Sequence, residues 1–186
     1  YGGYCFPKDV AAFQRLSTRL GYRFRLLEEV AEINGQAVEF AVQKVEEILW
    51  NLEDKRIALL GLSFKPNTDD LRGAPSLTIA GALSSLGARV VGYDPVAGKA
   101  TARLAPDVQA VFDPYEALRG AHAAVVVTEW EEVRSLNPKK AASLMLDPKL
   151  ILLDEPAGGI NPTLVARMAD VIRELNQQGK TFLIVE

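Results

Sequence analysis

The sequence predicts an α/β protein, a helical segment followed by a parallel-sheet domain, and three observations carry that expectation. A long helical pattern runs from about Leu26 to Leu52, a near-continuous apolar run follows at Arg56–Phe64, and from there apolar runs alternate with helical stretches. Apolar runs without polar alternation belong to strands covered on both faces, and strand–helix–strand succession builds a parallel sheet. At 186 residues, 48% hydrophobic and 24% charged, the chain is long enough to bury a core. No apolar run reaches the length of a membrane span, and no signal pattern opens the chain. A single cysteine excludes an internal disulfide and fits the reducing cytoplasm, while a net charge of −3 argues against general nucleic-acid binding. Neither a membrane nor a nucleic acid is therefore an expected partner. The chain begins inside a motif and stops at Val185-Glu186 straight after a strand-like run, which reads as part of a longer protein.

That cysteine stands in the first nine residues, Tyr1-Gly2-Gly3-Tyr4-Cys5-Phe6-Pro7-Lys8-Asp9. Two glycines allow the backbone there positive φ and a close approach to a ligand. Pro7 is a favoured residue at a helix start, and the pattern predicts a helix from Asp9 to Leu20 closed by Gly21. Cys5 then lies just outside a helix N-terminus with Lys8 one turn away, and both features favour a thiolate over the free thiol with its pKa of about 8.5. The plainer reading is a small buried hydrophobe. The stretch resembles the catalytic-cysteine motif of the UDP-glucose/GDP-mannose dehydrogenase family, Gly-Gly-x-Cys-Phe-x-Lys-Asp.

In chain order, Arg15, Arg19, Arg23 and Arg25 read as a solvated face of the first helix and its end. Along Leu26–Leu52, Val30, Ile33, Ala37, Phe40, Val45, Ile48 and Leu52 recur near the helical period, and Leu27, Val38, Val42 and Leu49 widen the stripe. So wide an apolar face implies burial on two sides, against its own domain and a partner chain, with Val38 and Val42 expected at the partner. Asn34-Gly35 is its one weak point. The strand Arg56–Phe64 runs into the polar loop Lys65–Arg72, Pro75 opens a helix that Gly87 ends, and Ala88–Tyr93 is a second strand closed by Asp94-Pro95. Only Gly61 stands where a dinucleotide fingerprint needs Gly-x-Gly-x-x-Gly, so no dinucleotide site is expected there. Val108–Val111 is a short strand, Asp113-Pro114 caps a short helix, and Ala123–Thr128 is a further buried strand, with the single histidine, His122, in a structural position at its base. The loop Phe64-Lys65-Pro66-Asn67-Thr68-Asp69-Asp70-Leu71-Arg72 and the run Thr128-Glu129-Trp130 both resemble signatures of the same dehydrogenase family.

From about residue 144 the pattern changes. Leu144–Pro156, with Asp154-Glu155, resembles the Walker B strand of ABC-transporter ATPases, and Ala157–Pro162 resembles the loop that follows it in branched-chain amino-acid importers. In such an ATPase Asp154 would help hold magnesium and Glu155 would polarise water. The phosphate cradle Gly-x-x-x-x-Gly-Lys-Ser/Thr is absent from the chain, and a buried strand with an acidic end accounts for the same residues. The expected outcome is that Leu150–Leu153 docks beside Ala123–Thr128, with an Asn161–Gln178 helix on one face and Asp154 and Glu155 at the strand end.

Together these resemblances imply three parts: residues 1–52, a helical dimerisation segment with the cysteine motif; residues 53–143, a Rossmann-like UDP-sugar-binding domain; and residues 144–186, an ATPase-like extension. They imply a UDP-glucose 6-dehydrogenase-like reaction, two hydride transfers from the sugar C6 to NAD. Cys5 would attack the aldehyde formed by the first, and the resulting thiohemiacetal would lose the second hydride to give a thioester that water hydrolyses. Residue by residue, Cys5 and Asp9 would be catalytic and Lys8 and Arg72 would lie near the cofactor. Tyr1, Gly2, Phe64 and Lys65 would meet the UDP-sugar, and no metal is implied. The family's NAD domain is not in this sequence, so the isolated chain is expected to be inactive. A non-catalytic UDP-sugar-binding and dimerisation module, or an ABC-type ATP-binding fragment, are the alternatives.

Overall fold

The computed structural model describes residues 1–146 and, as backbone, two further strands at 150–153 and 182–185. Two helices come first, α1 (Cys5–Arg19) and α2 (Arg25–Leu49). Six strands follow, β1 (Arg56–Leu60), β2 (Arg89–Tyr93), β3 (Val108–Val111), β4 (Ala123–Val126), β5 (Leu150–Leu153) and β6 (Phe182–Val185). Between them lie α3 (Pro75–Ser85), α4 (Gly98–Leu104), α5 (Pro114–Leu118), α6 (Glu131–Arg134) and α7 (Pro138–Leu144). The strands form one sheet in the order β3-β2-β1-β4-β5-β6, and every neighbouring pair is parallel. This is the doubly wound arrangement, whose strand order reverses between β1 and β4 and opens a crevice beyond their carboxyl ends.

The apolar run at residues 56–60 becomes a strand because both its faces are covered. Ile57 and Leu59 join a core with Ile79, Leu83, Val90 and Val45, whereas Ala58 and Leu60 point the other way into a core with Val91, Leu118 and Trp130. Ile57, Leu59 and Leu60 are all buried to within 1%, and each such side chain contributes about 1.5–3 kcal/mol. β1 and β4 end earlier than their apolar runs, because the chain bends away after Leu60 and Val126 into loops that touch. A Cβ at Gly61 would lie 2.5 Å from Thr128 Cβ, so only glycine allows that approach. His122 sits at the base of β4 with its Nδ1 accepting the Arg56 N–H at 3.2 Å.

Several expectations are met and several are corrected. Leu150–Leu153 does dock beside β4, with Ala124 opposite Leu150 and Val126 opposite Leu152. The Asn161–Gln178 helix and Asp154 and Glu155 lie outside the described residues. α1 begins at Cys5 and not at Asp9, because the nitrogen of Pro7 falls in the first turn, where no intrahelical bond is required of it. α2 runs unbroken through Asn34-Gly35. The two halves of α2 differ. Ala41, Val42 and Val45 are buried against α3 and the sheet with Val38 packed alongside, so Val38 and Val42 belong to the chain's own core. The exposed apolar row is Leu26, Val30, Ile33 and Phe40, about a third of a turn away. α4 lacks an apolar periodicity and no side chain caps it; the turn that leads into it, residues 95–97, is the part held by a carboxylate.

That carboxylate is Asp94, at the end of β2. It is 1% exposed. Its Oδ2 accepts from Leu62 N, Ser63 N and Ser63 Oγ, each at 2.9 Å, and from Trp130 Nε1 at 3.0 Å. Its Oδ1 accepts from Val96 N at 3.0 Å and Ala97 N at 2.8 Å. Burial is the largest single effect on this carboxyl and pushes its pKa up, but the backbone N–H groups of Ser63, Ala97, Leu62 and Val96 together outweigh it and hold the group below the ordinary range. A folded pKa below the unfolded value of about 3.9 means that the stabilisation is complete above that pH and is lost as the pH falls through the folded value. Asp94→Asn keeps the shape but removes the charge, and should cost about 2–4 kcal/mol, since hydrogen bonds to charged groups contribute roughly 1.5–3 kcal/mol each. Urea unfolding at pH 7 reads the loss, and the variant should show a flatter decline in stability below about pH 4.

Candidate active site

Everything beyond the carboxyl ends of β1 and β4 hangs on the loop that Asp94 anchors. Thr128 Oγ1 donates to Ser63 O, Ser76 Oγ donates to Leu62 O, and Phe64 N donates to Asp70 O at 3.1 Å, so residues 64–70 are folded back as a closed loop. At its end Asp70 and Arg72 form a two-pronged pair, with Arg72 Nε on Oδ1 at 2.9 Å and Nη2 on Oδ2 at 2.8 Å. Arg72 N also donates to Asp70 Oδ1 at 3.0 Å. The guanidinium and then the backbone N–H of Arg72 bring the Asp70 carboxyl down to about 2, and the same hydrogen bond raises Arg72. The Arg72 side chain remains 65% exposed, so its charge still faces outward.

The cysteine motif packs on this loop. Gly3 N donates to Gly73 O at 2.9 Å. Gly3 has φ +78°, and a Cβ there would sit 2.8 Å from the Phe64 ring, while a Cβ on Gly73 would sit 2.6 Å from Gly3 O. The freedom of the glycine pair is thus spent on contact between two segments of the same chain. Cys5 follows as the first helical residue of α1, and its side chain is exposed. No side chain caps this helix, so its first N–H groups are not taken up by an N-cap side chain. Lys8 Nζ lies 3.3 Å from Asp9 Oδ1, and that pairing raises the Lys8 pKa.

Of the residues singled out in the sequence, Gly2, Cys5, Lys8, Phe64 and Arg72 therefore gather around one contact. Gly2 faces Pro75 and Gly73, and Lys65 Nζ stands 5.2 Å above the Phe64 ring centroid. Tyr1 meets the Phe6 ring edge-on at 6.4 Å, and Asp9 is turned to Lys8. Sequence reasoning passed over Asp94, Asp70, Gly73 and Tyr4. For Asp70 a signal existed, since a carboxylate two residues before an arginine can fold back on it. Asp94 had none, because its partners come from three separate stretches of chain. Among the described residues no three His, Cys, Asp or Glu side chains gather where they could hold a metal, and no helix is long and apolar enough to cross a membrane.

The sheet itself does not fit a dinucleotide in the usual way. A fingerprint turn leads from the first strand straight into a helix, with an acidic residue at the end of the second strand left free for the ribose. Here residues 61–74 separate β1 from α3, and Asp94, the residue in the ribose position, is consumed by six internal donors. The Gly3–Gly73 contact supplies a test. Gly3→Ala forces a left-handed side-chain residue against the Phe64 ring, a cost of at least about 1–2 kcal/mol. Amide exchange at Gly3 should accelerate by roughly 5–30-fold while exchange in β1 and β4 stays unchanged.

The family model described as "UDP-glucose/GDP-mannose dehydrogenase family, UDP binding domain" matches residues 58–155, and the model for the same family's central domain matches residues 1–36. UDP-glucose 6-dehydrogenase TuaD of Bacillus subtilis is 38% identical over 152 residues, which cover 81% of this chain and 33% of that protein. The chain thus spans about a third of that relative's length. A UDP-glucose dehydrogenase from the hyperthermophilic archaeon Pyrobaculum islandicum superposes with a TM-score of 0.74 at 35% identity, over 82% of this chain and 34% of that one. A GDP-mannose dehydrogenase from Pseudomonas aeruginosa superposes with a TM-score of 0.69 at 26% identity, over 86% of this chain and 38% of that one. With a family model covering more than half its residues, and both sequence signatures meeting in one place in the fold, this chain belongs to the UDP-glucose/GDP-mannose dehydrogenase family.

Proposed function

We propose that this chain supplies the cysteine nucleophile and the nucleotide-sugar-binding sheet of an NAD-dependent UDP-glucose 6-dehydrogenase. The observation that carries this reading is the Gly3–Gly73 contact, which sets Cys5 beside the loop 64–72 at the crevice where the strand order reverses. Lys65 and Phe64 take the UDP-sugar, the lysine as a cation for the diphosphate and the ring as an apolar wall. Tyr1 and Gly2 line the sugar. Cys5 Sγ attacks the C6 aldehyde carbon, helped by the uncapped N–H groups of α1 and by Lys8. Asp9 holds Lys8 in place. Bound NAD would accept the hydrides of both oxidations, and the outward-facing charge of Arg72, with Lys8, suits its phosphates.

A single cysteine kept as a thiol suits a cytoplasmic protein. The lack of a fingerprint fit in the sheet favours, as a second reading, a chain that binds UDP-sugar and dimerises without oxidising it. In both readings the exposed row Leu26, Val30, Ile33 and Phe40 is the contact with a second copy, whose spacing of four and three is that of a helix–helix seam.

UDP-glucose should protect Cys5 of the purified chain from iodoacetamide, and Cys5→Ser should abolish labelling while UDP affinity persists. Lys65→Ala should weaken UDP binding roughly 10–100-fold, the worth of a charge-assisted hydrogen bond. Labelling that saturating UDP-glucose leaves unchanged would sink the reading. For the dimer, light scattering should give twice the monomer mass for the unmodified chain and a monomer for Ile33→Glu, with little loss of thermal stability because Ile33 is 56% exposed in the single chain.

A further inference from the structure

Tyr4 stands at the N-cap of α1, yet its side chain caps nothing. Its ring lies against Arg72, with the guanidinium carbon Cζ 4.6 Å from the ring centroid, and Lys8 Nζ is 5.5 Å from the same centroid. Both distances fall inside the range of about 6 Å over which a cation is attracted to an aromatic ring. Asp70 fixes Arg72 along one edge only, through Nε and Nη2, and Nη1 makes no hydrogen bond among the described residues. A long side chain that is 65% exposed can swing about such an edge unless something holds its plane. Asp70 is the main cause of the raised Arg72 pKa, and Tyr4 and Cys5 add to it in the same direction, so guanidinium, ring and sulfur share one neighbourhood.

We propose that Tyr4 is a positioning residue whose ring holds the Arg72 guanidinium beside Cys5, with the Nη1 edge turned to a phosphate of the bound nucleotide. The inference rests on the reading of Arg72 as a phosphate-facing residue given above. Tyr4 joins the two signature segments through a side chain, as Gly3 and Gly73 join them through backbone. It acts on Arg72 and not on the reacting atoms.

The test uses the unmodified chain, Tyr4→Phe, Tyr4→Leu and Arg72→Gln, with inorganic pyrophosphate as the probe. In NMR spectra of arginine Nε–H groups, Arg72 should show a ring-current shift and restricted motion that persist in Tyr4→Phe and vanish in Tyr4→Leu, with the unfolding temperature unchanged. Pyrophosphate affinity should fall about two- to fivefold in Tyr4→Leu, recover in Tyr4→Phe, and show no further fall when Tyr4→Leu is added to Arg72→Gln. An Arg72 signal as ordered and shifted in Tyr4→Leu as in the unmodified chain overturns the inference, as does a full additive loss in the double variant. Pyrophosphate that leaves the Arg72 signal of the unmodified chain unmoved overturns the phosphate-facing reading itself, and the inference falls with it.

Discussion

The rest of the structure depends on how Asp94 is solvated. A carboxylate buried to 1% exposure costs several kcal/mol unless hydrogen bonds replace its water. The replacements come from three places: the turn after β1, the turn after β2, and Trp130 beyond β4. Each donor must point at the same two oxygens, so the three loops have little freedom relative to one another. Ser63 is fixed twice, by its N–H and by its hydroxyl, and this sets the direction in which Phe64 leaves the sheet. Phe64 in turn is the surface on which Gly3 lands. Thus the position of Cys5, many residues away in the chain, traces back to one buried charge.

The same residue explains why a doubly wound sheet need not bind a dinucleotide. The strand order and an acid at the end of β2 are both present. What differs is the fate of that acid, turned inward to hold loops where a free one would meet a ribose. The cations around the crevice are handled in the opposite manner. Arg72 and Lys8 each have a carboxylate neighbour, Asp70 and Asp9, and stay at the surface. Surface pairs of this kind contribute little to stability, about 0–1 kcal/mol. Their effect is geometric, in aiming charge at a place, and a chain with a net charge of −3 needs such local aiming to attract an anion.

Much of this fold was legible in the sequence because its information is local. The uninterrupted apolar runs marked β1, β2, β4 and β5, since parallel strands bury both faces. Pro75 and Asp113 marked helix starts, and Asp113 caps through its own side chain. The breadth of the apolar stripe on residues 26–52 marked α2, one side of which lies in the chain's own core. Cys5, Lys8, Phe64 and Arg72 could be picked out because two dense signatures contain them. Tertiary structure decided what depends on partners distant in the chain. It decided which half of α2 faces the chain's own core, since Val38 and Ile33 are equally apolar and only α3 distinguishes them. It fixed the turn before α4 through a carboxylate that sequence pattern could not assign. It brought Gly3 to Gly73 and Tyr4 to Arg72, contacts whose residue types carry no periodicity. Burial and capping act within a few residues and leave a pattern; the meeting of two loops is a property of the sheet that holds them apart or together.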